Sequence, residues 1–497
     1  MSVLDFEAVI GLEVHCQLST RSKIFCSCPA SPPAGVSVSS LQPNQNVCEV
    51  CCGHPGALPV MNAEAVRLAV RAGLAVGSRI RQASVFARKN YFYPDLPKGY
   101  QISQYDSAIC EGGVVEIEVD GARKQARLRR IHLEEDAGKS VHEFGVTLVN
   151  LNRAGVPLIE IVGEPDLRTP EEAGDYLREL HAIVTTLGIT DGNMQEGNFR
   201  CDANVSIRRK GSSPFGTRVE IKNVNSFRFV EKAIAFEIQR QVAVLSAGKV
   251  VVQETRLYDP QKDQTFSMRT KEEAEDYRYF PDPDLLPIVV PENWIEEERR
   301  AIPELPAQKR DRYRKDYLLP AQDTRLLTSS REWMQFFESV MASFVSTLPV
   351  DAFAKAAANL ISGELSRLSH EAGLALESAR VTPIHVARLV ELLLGNQLSS
   401  TAAKKVLQLA WSSGDSVDVI VAREGLIQQN DAGALEPLVS AVLSENPQAV
   451  EELCSGKEKV LGFLVGLVMK KSKGRANPAL IQDLIRKAVA ATTQLES

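Results

Sequence analysis

The sequence predicts an α+β protein: a mixed β-sheet domain, then an all-α helical domain, then an all-α tail. Two observations carry this. Before residue 290, short runs rich in Val, Ile and Arg alternate with Gly, Pro, Asp and Asn; beyond Pro291, apolar residues recur every three or four positions. The length, 497 residues, is also too great for one core, since domains usually hold roughly 100–200 residues. The boundaries are placed at 1–292, 293–410 and 411–497, with the WSSGDSVD stretch from Trp411 as a hinge.

Each element has its own signal. The run from Val114 to Asp136 alternates apolar and polar residues about Asp120–Gly121, which predicts a β-hairpin. Thr169–Pro170–Glu171–Glu172 supplies an N-cap, a first-turn proline and acids at the positive end of a helix over 169–187. A second helix is predicted over 226–245. Trp333, Phe336, Phe337, Val340, Met341 and Phe344 fall on one helical face and read as core. In the tail, Val460, Phe463, Leu464, Leu467 and Val468 form a face that Gly474 ends, and Asn477–Pro478 opens a helix carrying Leu480, Ile481, Leu484 and Ile485. The first domain is thus expected to be mixed, with catalytic segments in its turns.

Composition excludes several classes. With 44% hydrophobic and 24% charged residues the chain matches soluble globular proteins. A formal charge of −6 gives no unspecific polyanion binder. The opening MSVLDFEAVIGLEV lacks a basic segment, a long apolar run and a cleavage site, so no signal peptide is expected. Nine cysteines, an odd number, argue against a disulfide framework and for a reducing, cytoplasmic setting.

The strongest metal signal is Cys26-x-Cys28 followed, after nineteen residues, by Cys48-x-x-Cys51. Four thiolates in two close pairs can converge tetrahedrally on Zn2+, and a site filled by protein ligands is structural. A second signal lies in acids set within apolar runs. Glu13 and His15 share one face of a strand by alternation. Glu134 and Glu135 end the hairpin strand, Glu160 sits inside VPLIEIVGEPD, Asp202 interrupts CDANVSI, and Glu220 interrupts RVEIKNV. Any one of them is explained by an ion pair with a nearby arginine, because a buried charge must be paired. Together they point to one shared site whose oxygen ligands and imidazole suit Mg2+ holding substrate phosphates. Arg88, Lys89 and Lys98 supply cations around the NYFYPDLPKGY turn. Gly138-Lys139-Ser140 imitates the end of a phosphate loop, but Leu133 stands where its first glycine belongs, and no GxGxxG is present.

The runs IGLEVHCQL, RKNYFYPDLPKGYQISQYD, RIHLEEDAGKSVH, NRAGVPLIEIVGEPDLRTPEEA, DGNMQEGNFRCDANVSIR, FGTRVEIKNVNSFRFVEKAI and DYRYFPDPDLLP resemble the B subunits of the aspartyl/glutamyl-tRNA amidotransferases (the GatCAB enzymes). The likeness spans essentially the whole chain, and GFLVGLVMKKSKGRANPALIQDLIRKAV resembles that family's YqeY-related tail. The resemblance implies phosphorylation of the side-chain carboxylate of Glu-tRNA(Gln) or Asp-tRNA(Asn) by ATP, then amidation with ammonia. It implies two partners, the glutaminase GatA, which supplies the ammonia, and GatC, which clamps the other two together. His15, Glu135 and Glu160 are then expected to hold Mg2+, with Glu13 and Glu134 beside them. Asp202 and Glu220 complete an acidic pocket, Lys89 and Arg88 meet the triphosphate, and Cys26, Cys28, Cys48 and Cys51 match the family's zinc cysteines. One departure is Asn150 where Asp is common. Lys457, Lys459, Lys470, Lys471, Lys473 and Arg475, against Glu458 alone, form a basic face suited to tRNA phosphates.

Overall fold

The computed structural model describes residues 5–31, 41–119, 121–143, 145–270, 277–344, 348–428, 432–455, 457–472 and 476–495. It divides into two units, Met1–Gln308 and Lys309–Ser497. The first is built on a ten-stranded sheet. From one edge the strands are Gln264–Thr270, Glu254–Asp259, Val219–Val224, Phe199–Arg209, Phe6–Gln17, Pro157–Gly163, Ala122–Glu135, Cys110–Glu111 and Arg79–Ile80, with Val114–Val119 also paired to Ala122–Glu135. All neighbours are antiparallel except Val219–Val224 and Glu254–Asp259. Those two are joined through the helix Phe227–Ser246, the crossover that parallel strands require.

The expected hairpin forms, with Val119 opposite Ala122 and Gly121 at φ +78°; Asp120 lies outside the described residues. The first helix spans Pro170–Thr186, and Thr169 Oγ1 accepts from Glu172 N at 3.1 Å. The second spans Phe227–Ser246 and is capped in the same way by Ser226. Alternation sends Leu12, Val14, Cys16, Ile131, Leu133, Ile159 and Ile161 into one apolar core with Tyr176, Leu177 and Leu180 of the first helix. The opposite sheet face carries the polar residues described below.

Among the described residues the second unit is helical and has two apolar cores. One joins Tyr313, Phe337, Val340, Phe353, Leu389 and Val406. The helix Arg331–Ala342 buries Met334, Phe336, Phe337 and Val340; Phe344 lies beyond its end and packs on Phe353 at 4.4 Å between ring centroids. The helix Ser400–Ser413 contains Trp411, and Val417, Ile420 and Val421 after it still belong to this core. The other core starts at Leu435 and takes in Leu461, Leu464, Val468, Ile481 and Ile485. Here the expected face is rotated: Leu461, Leu464, Val465 and Val468 are buried, while Phe463 is 56% exposed. The helix Lys459–Lys471 is apolar on more than one side, so spacing alone left its phase open. Gly474 lies outside the described residues, and Asn477 caps the last helix, Pro478–Leu495. Among the described residues no helix is long and apolar enough to cross a membrane.

Candidate functional site

Register assembles the site. His132 lies opposite Glu160, Glu160 opposite His15, and His15 opposite Arg200, so one row crosses four strands. In the next row Glu13 faces Asp202, and beyond it Asn204 faces Glu220. Directly opposite residues share a face, as do residues two apart on a strand. The polar residues therefore all lie on the face away from the helices. These candidate residues lie in mid-strand, where pairing holds charged groups of distant segments in fixed order.

His15, Glu134 and Glu160 bring their ligand atoms within 4.8 Å of one another. His15 Nε2 is 3.5 Å from Glu160 Oε2, and His132 Nε2 lies 3.4 Å from the same oxygen and 3.1 Å from Glu134 Oε1. Ser103 Oγ donates to Glu134 Oε1 at 2.6 Å and Gln101 Nε2 to Glu134 Oε2 at 3.0 Å. Glu135 points elsewhere, as the next residue on a strand must. It pairs with Lys98 Nζ and accepts from Ile102 N at 2.8 Å. Burial works against every charge here, but the mutual contacts prevail. Glu160 is held well below the usual carboxylate range by His132 and His15, and Glu134 is lowered by Lys89 and His132. His132 is pushed up to about 9 by Glu160 and Glu134, and His15 is raised by its contact with Glu160. Lys89 is raised by Glu134, Tyr279 and Glu160, so it stays a cation despite burial.

The remaining acids form a row leading away. Glu13 accepts from Asn204 Nδ2 at 3.0 Å, and its carboxyl is raised by burial and by Glu160, Asp202 and Glu220. Lys222 Nζ bridges Asp202 at 2.8 Å and Glu220 at 3.2 Å, and Thr255 Oγ1 donates to Glu220 at 2.8 Å. Arg88 is engaged within the fold: it pairs with Asp282 at 3.0 Å and Asp284 at 2.8 Å and lies over the Tyr100 ring at 4.2 Å. A cavity of about 620 Å³ adjoins the row, lined in part by Gln17, Asn46, Asn152, Arg153, Arg200 and Asp202. Two of these lining residues hold buried Asp136, which accepts from Gln17 Nε2 at 2.6 Å and Arg200 Nη2 at 3.1 Å.

Cys26, Cys28, Cys48 and Cys51 also converge, their sulfurs within 4.8 Å of one another. Hydrogen bonding from Cys26 lowers the Cys51 thiol to about 4, helped by the charge of Lys23. Lys23 is fully buried beneath them and donates to Asn46 O at 2.8 Å. Four sulfur donors gathered beside a buried cation fit a tetrahedral Zn2+. Cys16, Cys110 and Cys201 are buried, and burial raises each thiol.

Sequence reasoning missed His132, Ser103, Gln17 and Arg200. A signal for His132 was available: His132-x-Glu134 repeats in reverse the alternation of Glu13-x-His15. The others are polar residues in strands or strand ends that nothing local distinguishes.

Comparison with known proteins shows the family. The family model described as the GatB/GatE catalytic domain matches residues 8–296, and the GatB domain model matches residues 335–489. The aspartyl/glutamyl-tRNA(Asn/Gln) amidotransferase B subunit of Alkalilimnicola ehrlichii is 52% identical over 486 residues, covering 97% of this chain and 99% of that protein. The corresponding proteins of Geobacter sulfurreducens (51% identical) and Halorhodospira halophila (52%), named in the same way, each cover 97% of this chain and 99% of their own length. With both family models in chain order and relatives of this identity from end to end, the chain belongs to the GatB family, the B subunits of the aspartyl/glutamyl-tRNA(Asn/Gln) amidotransferases.

Proposed function

We propose that this chain forms the amide in a tRNA-dependent amidotransferase, a carbon–nitrogen ligase that converts Glu-tRNA(Gln), Asp-tRNA(Asn) or both. The observation that carries the reading is the convergence of His15, Glu134 and Glu160 on one sheet face with Lys89 beside them. A carboxylate resists ammonia because its leaving group would be oxide, so it must first become an anhydride. An oxygen of the tRNA-borne side chain attacks the γ-phosphorus of ATP, the bridging P–O bond breaks and ADP leaves. The ammonia lone pair then attacks the acyl carbon, the C–O bond to phosphate breaks, and a proton is lost as the amide forms.

The donor set of two carboxylates and one imidazole fits Mg2+, which when bound neutralises charge on the transferred phosphoryl group. Lys89 adds fixed positive charge for the triphosphate. His132 and Ser103 hold the two carboxylates in orientation. Glu13, Asp202 and Glu220 form an acidic row that attracts the incoming nitrogen as ammonium and takes its proton, with Lys222 bridging Asp202 and Glu220. The polar cavity beside Arg200 and Arg153 has the size and donors to receive an aminoacyl end.

In this reading ammonia comes from the glutaminase GatA, GatC completes the heterotrimer, Cys26, Cys28, Cys48 and Cys51 hold structural Zn2+, and the enzyme works in the cytoplasm. The three apolar cores support a catalytic domain, a helical domain and a tail. In the tail, exposed Lys457, Lys459, Lys470 and Lys471 support tRNA phosphate contact, although Glu452 and Glu445 partner Lys457 and Lys471 at 3.6 and 2.5 Å. Lys473 and Arg475 lie outside the described residues.

The test is ATP hydrolysis stimulated by each misacylated tRNA, with the chain co-purified with GatA and GatC. Glu134→Gln is expected to abolish stimulation and amidation while tRNA binding persists. Undiminished hydrolysis in Glu134→Gln would leave a tRNA-delivering scaffold as the correct reading.

A further inference from the structure

The loop between the helix Pro170–Thr186 and the strand Phe199–Arg209 forms one wall of the cavity: Asp191, Met194, Gln195, Glu196, Gly197 and Asn198 all line it. Short side chains tie the loop to itself. Asn193 N donates to Asp191 Oδ1 at 2.9 Å, Gln195 N to Asn193 Oδ1 at 3.0 Å, and Asn198 Nδ2 to Asp191 Oδ2 at 2.8 Å. Asn198 O accepts from Gln17 N at 2.8 Å, which joins the wall to the strand Phe6–Gln17. Arg200 and Asp202 follow directly on the next strand, so the course of the loop also sets where they are delivered.

His181 of the helix holds this loop from behind. Its Nε2 lies 2.9 Å from Gly192 O. A carbonyl only accepts, so Nε2 carries the proton. Burial lowers the imidazole below its ordinary value, which keeps the ring neutral. Phe199 and Phe227 meet the ring edge-on, at 5.1 and 5.5 Å between centroids, and fix its plane. Gly192 stands at φ +69°, and a methyl group added to it would lie 2.4 Å from His181 Nε2 and 2.7 Å from Thr185 Cγ2. No larger residue fits between loop and ring. His181 itself is not among the described residues that line the cavity.

We propose that His181 is a positioning residue: through Gly192 it sets the cavity wall against which the aminoacyl group of the misacylated tRNA is seated. This rests on the amidotransferase reading above and deepens it. An aminoacyl group presents an ammonium, which needs acceptors, and an ester carbonyl, which needs a donor. Gln195 and Glu196 of the wall offer acceptors in the same cavity as the donors of Arg153 and Arg200. A reacting group misplaced by about 1 Å can lose about a hundredfold in rate, so such a wall must be rigid. A ring of fixed plane, bonded to a glycine that has no side chain to yield, supplies that rigidity from outside the cavity.

The experiment compares His181→Phe, which keeps a ring and loses the donor, with His181→Gln, whose amide nitrogen reaches about as far as Nε2. Both are made in the full chain co-purified with GatA and GatC. The measurements are kcat/KM for misacylated tRNA, KM for ATP, the affinity for the same tRNA without its amino acid, and amide hydrogen exchange of the loop. Loss of one hydrogen bond is worth roughly five- to tenfold in an equilibrium. His181→Phe should therefore lower kcat/KM for misacylated tRNA about five- to tenfold and speed exchange in the loop. ATP KM and the affinity for deacylated tRNA should stay unchanged, and His181→Gln should lie near wild type. Should the Phe variant not fold, His181→Asn, whose amide is too short to reach Gly192 O, carries the same expectation. Unchanged kcat/KM in the variants lacking the bond overturns the proposal, as does equal loss in His181→Gln. An equal loss for deacylated tRNA or for ATP also overturns it, since the wall then does not act on the aminoacyl group. Absence of amidation by the wild type overturns the amidotransferase reading itself, a result that no His181 variant can produce.

Discussion

Asp136 shows how one side chain can tie a site to stability. It is 4% exposed, yet Arg200 and Arg153 outweigh the cost of burial and hold its carboxyl below the ordinary value of 3.8. A depressed folded pKa means stability that is present above the unfolded value and lost as pH falls through the folded one. Asp136→Asn is expected to lower stability near neutral pH by about 1–3 kcal/mol. It should also flatten the loss of stability that wild type shows below pH 3.8; urea melts across the acid range measure both. At this scale the sequence was informative wherever alternation decided the face. Glu13-x-His15 could be read directly from the spacing. The difference between Glu134 and Glu135 could not, because adjacent residues point to opposite sides. The pairing of Ala122–Glu135 with Pro157–Gly163 chooses between them, and that register is non-local.

Whole elements were legible where their signals were local. The cap at Thr169 is a contact within four residues, so the helix Pro170–Thr186 begins where the sequence says it should. Thr169→Ala removes the acceptor for Glu172 N and is expected to destabilise the first unit by about 1 kcal/mol. Chemical denaturation followed by circular dichroism checks this, and Thr169→Ser should recover most of the loss. The helix Lys459–Lys471 is the contrary case. With Val460, Leu461, Phe463, Leu464, Val465, Leu467 and Val468 nearly all around it, no polar residue fixes which stripe turns inward. Contact with the helices Ala432–Glu445 and Pro478–Leu495 decides it, and such contact leaves no trace in periodicity.

For the molecule as a whole, the sheet's apolar cluster takes in Ile295, with Ile302 and Leu305 packed against it, and the next begins at Tyr313, so the core changes beyond the shift of texture near residue 290. Separate cores unfold separately unless an interface couples them. Calorimetry of the full chain is therefore expected to show more than one transition, and a chain ending at Gln308 should retain the one belonging to the sheet. A single transition that vanishes in the shortened chain contradicts this. The sheet has one more consequence, in the order of synthesis. Its first strand, Phe6–Gln17, ends up in the middle, between Pro157–Gly163 and Phe199–Arg209. This strand leaves the ribosome before the neighbours it pairs with, which are made some 150 to 200 residues later. Throughout that interval both its hydrogen-bonding edges stay open and Leu12, Val14 and Cys16 lack their cover. Long-range pairing of this kind is slow and exposed to aggregation. His15 thus emerges from the ribosome long before Glu134 and Glu160 exist to meet it, and no nascent fragment that stops short of Glu160 can bring the three together.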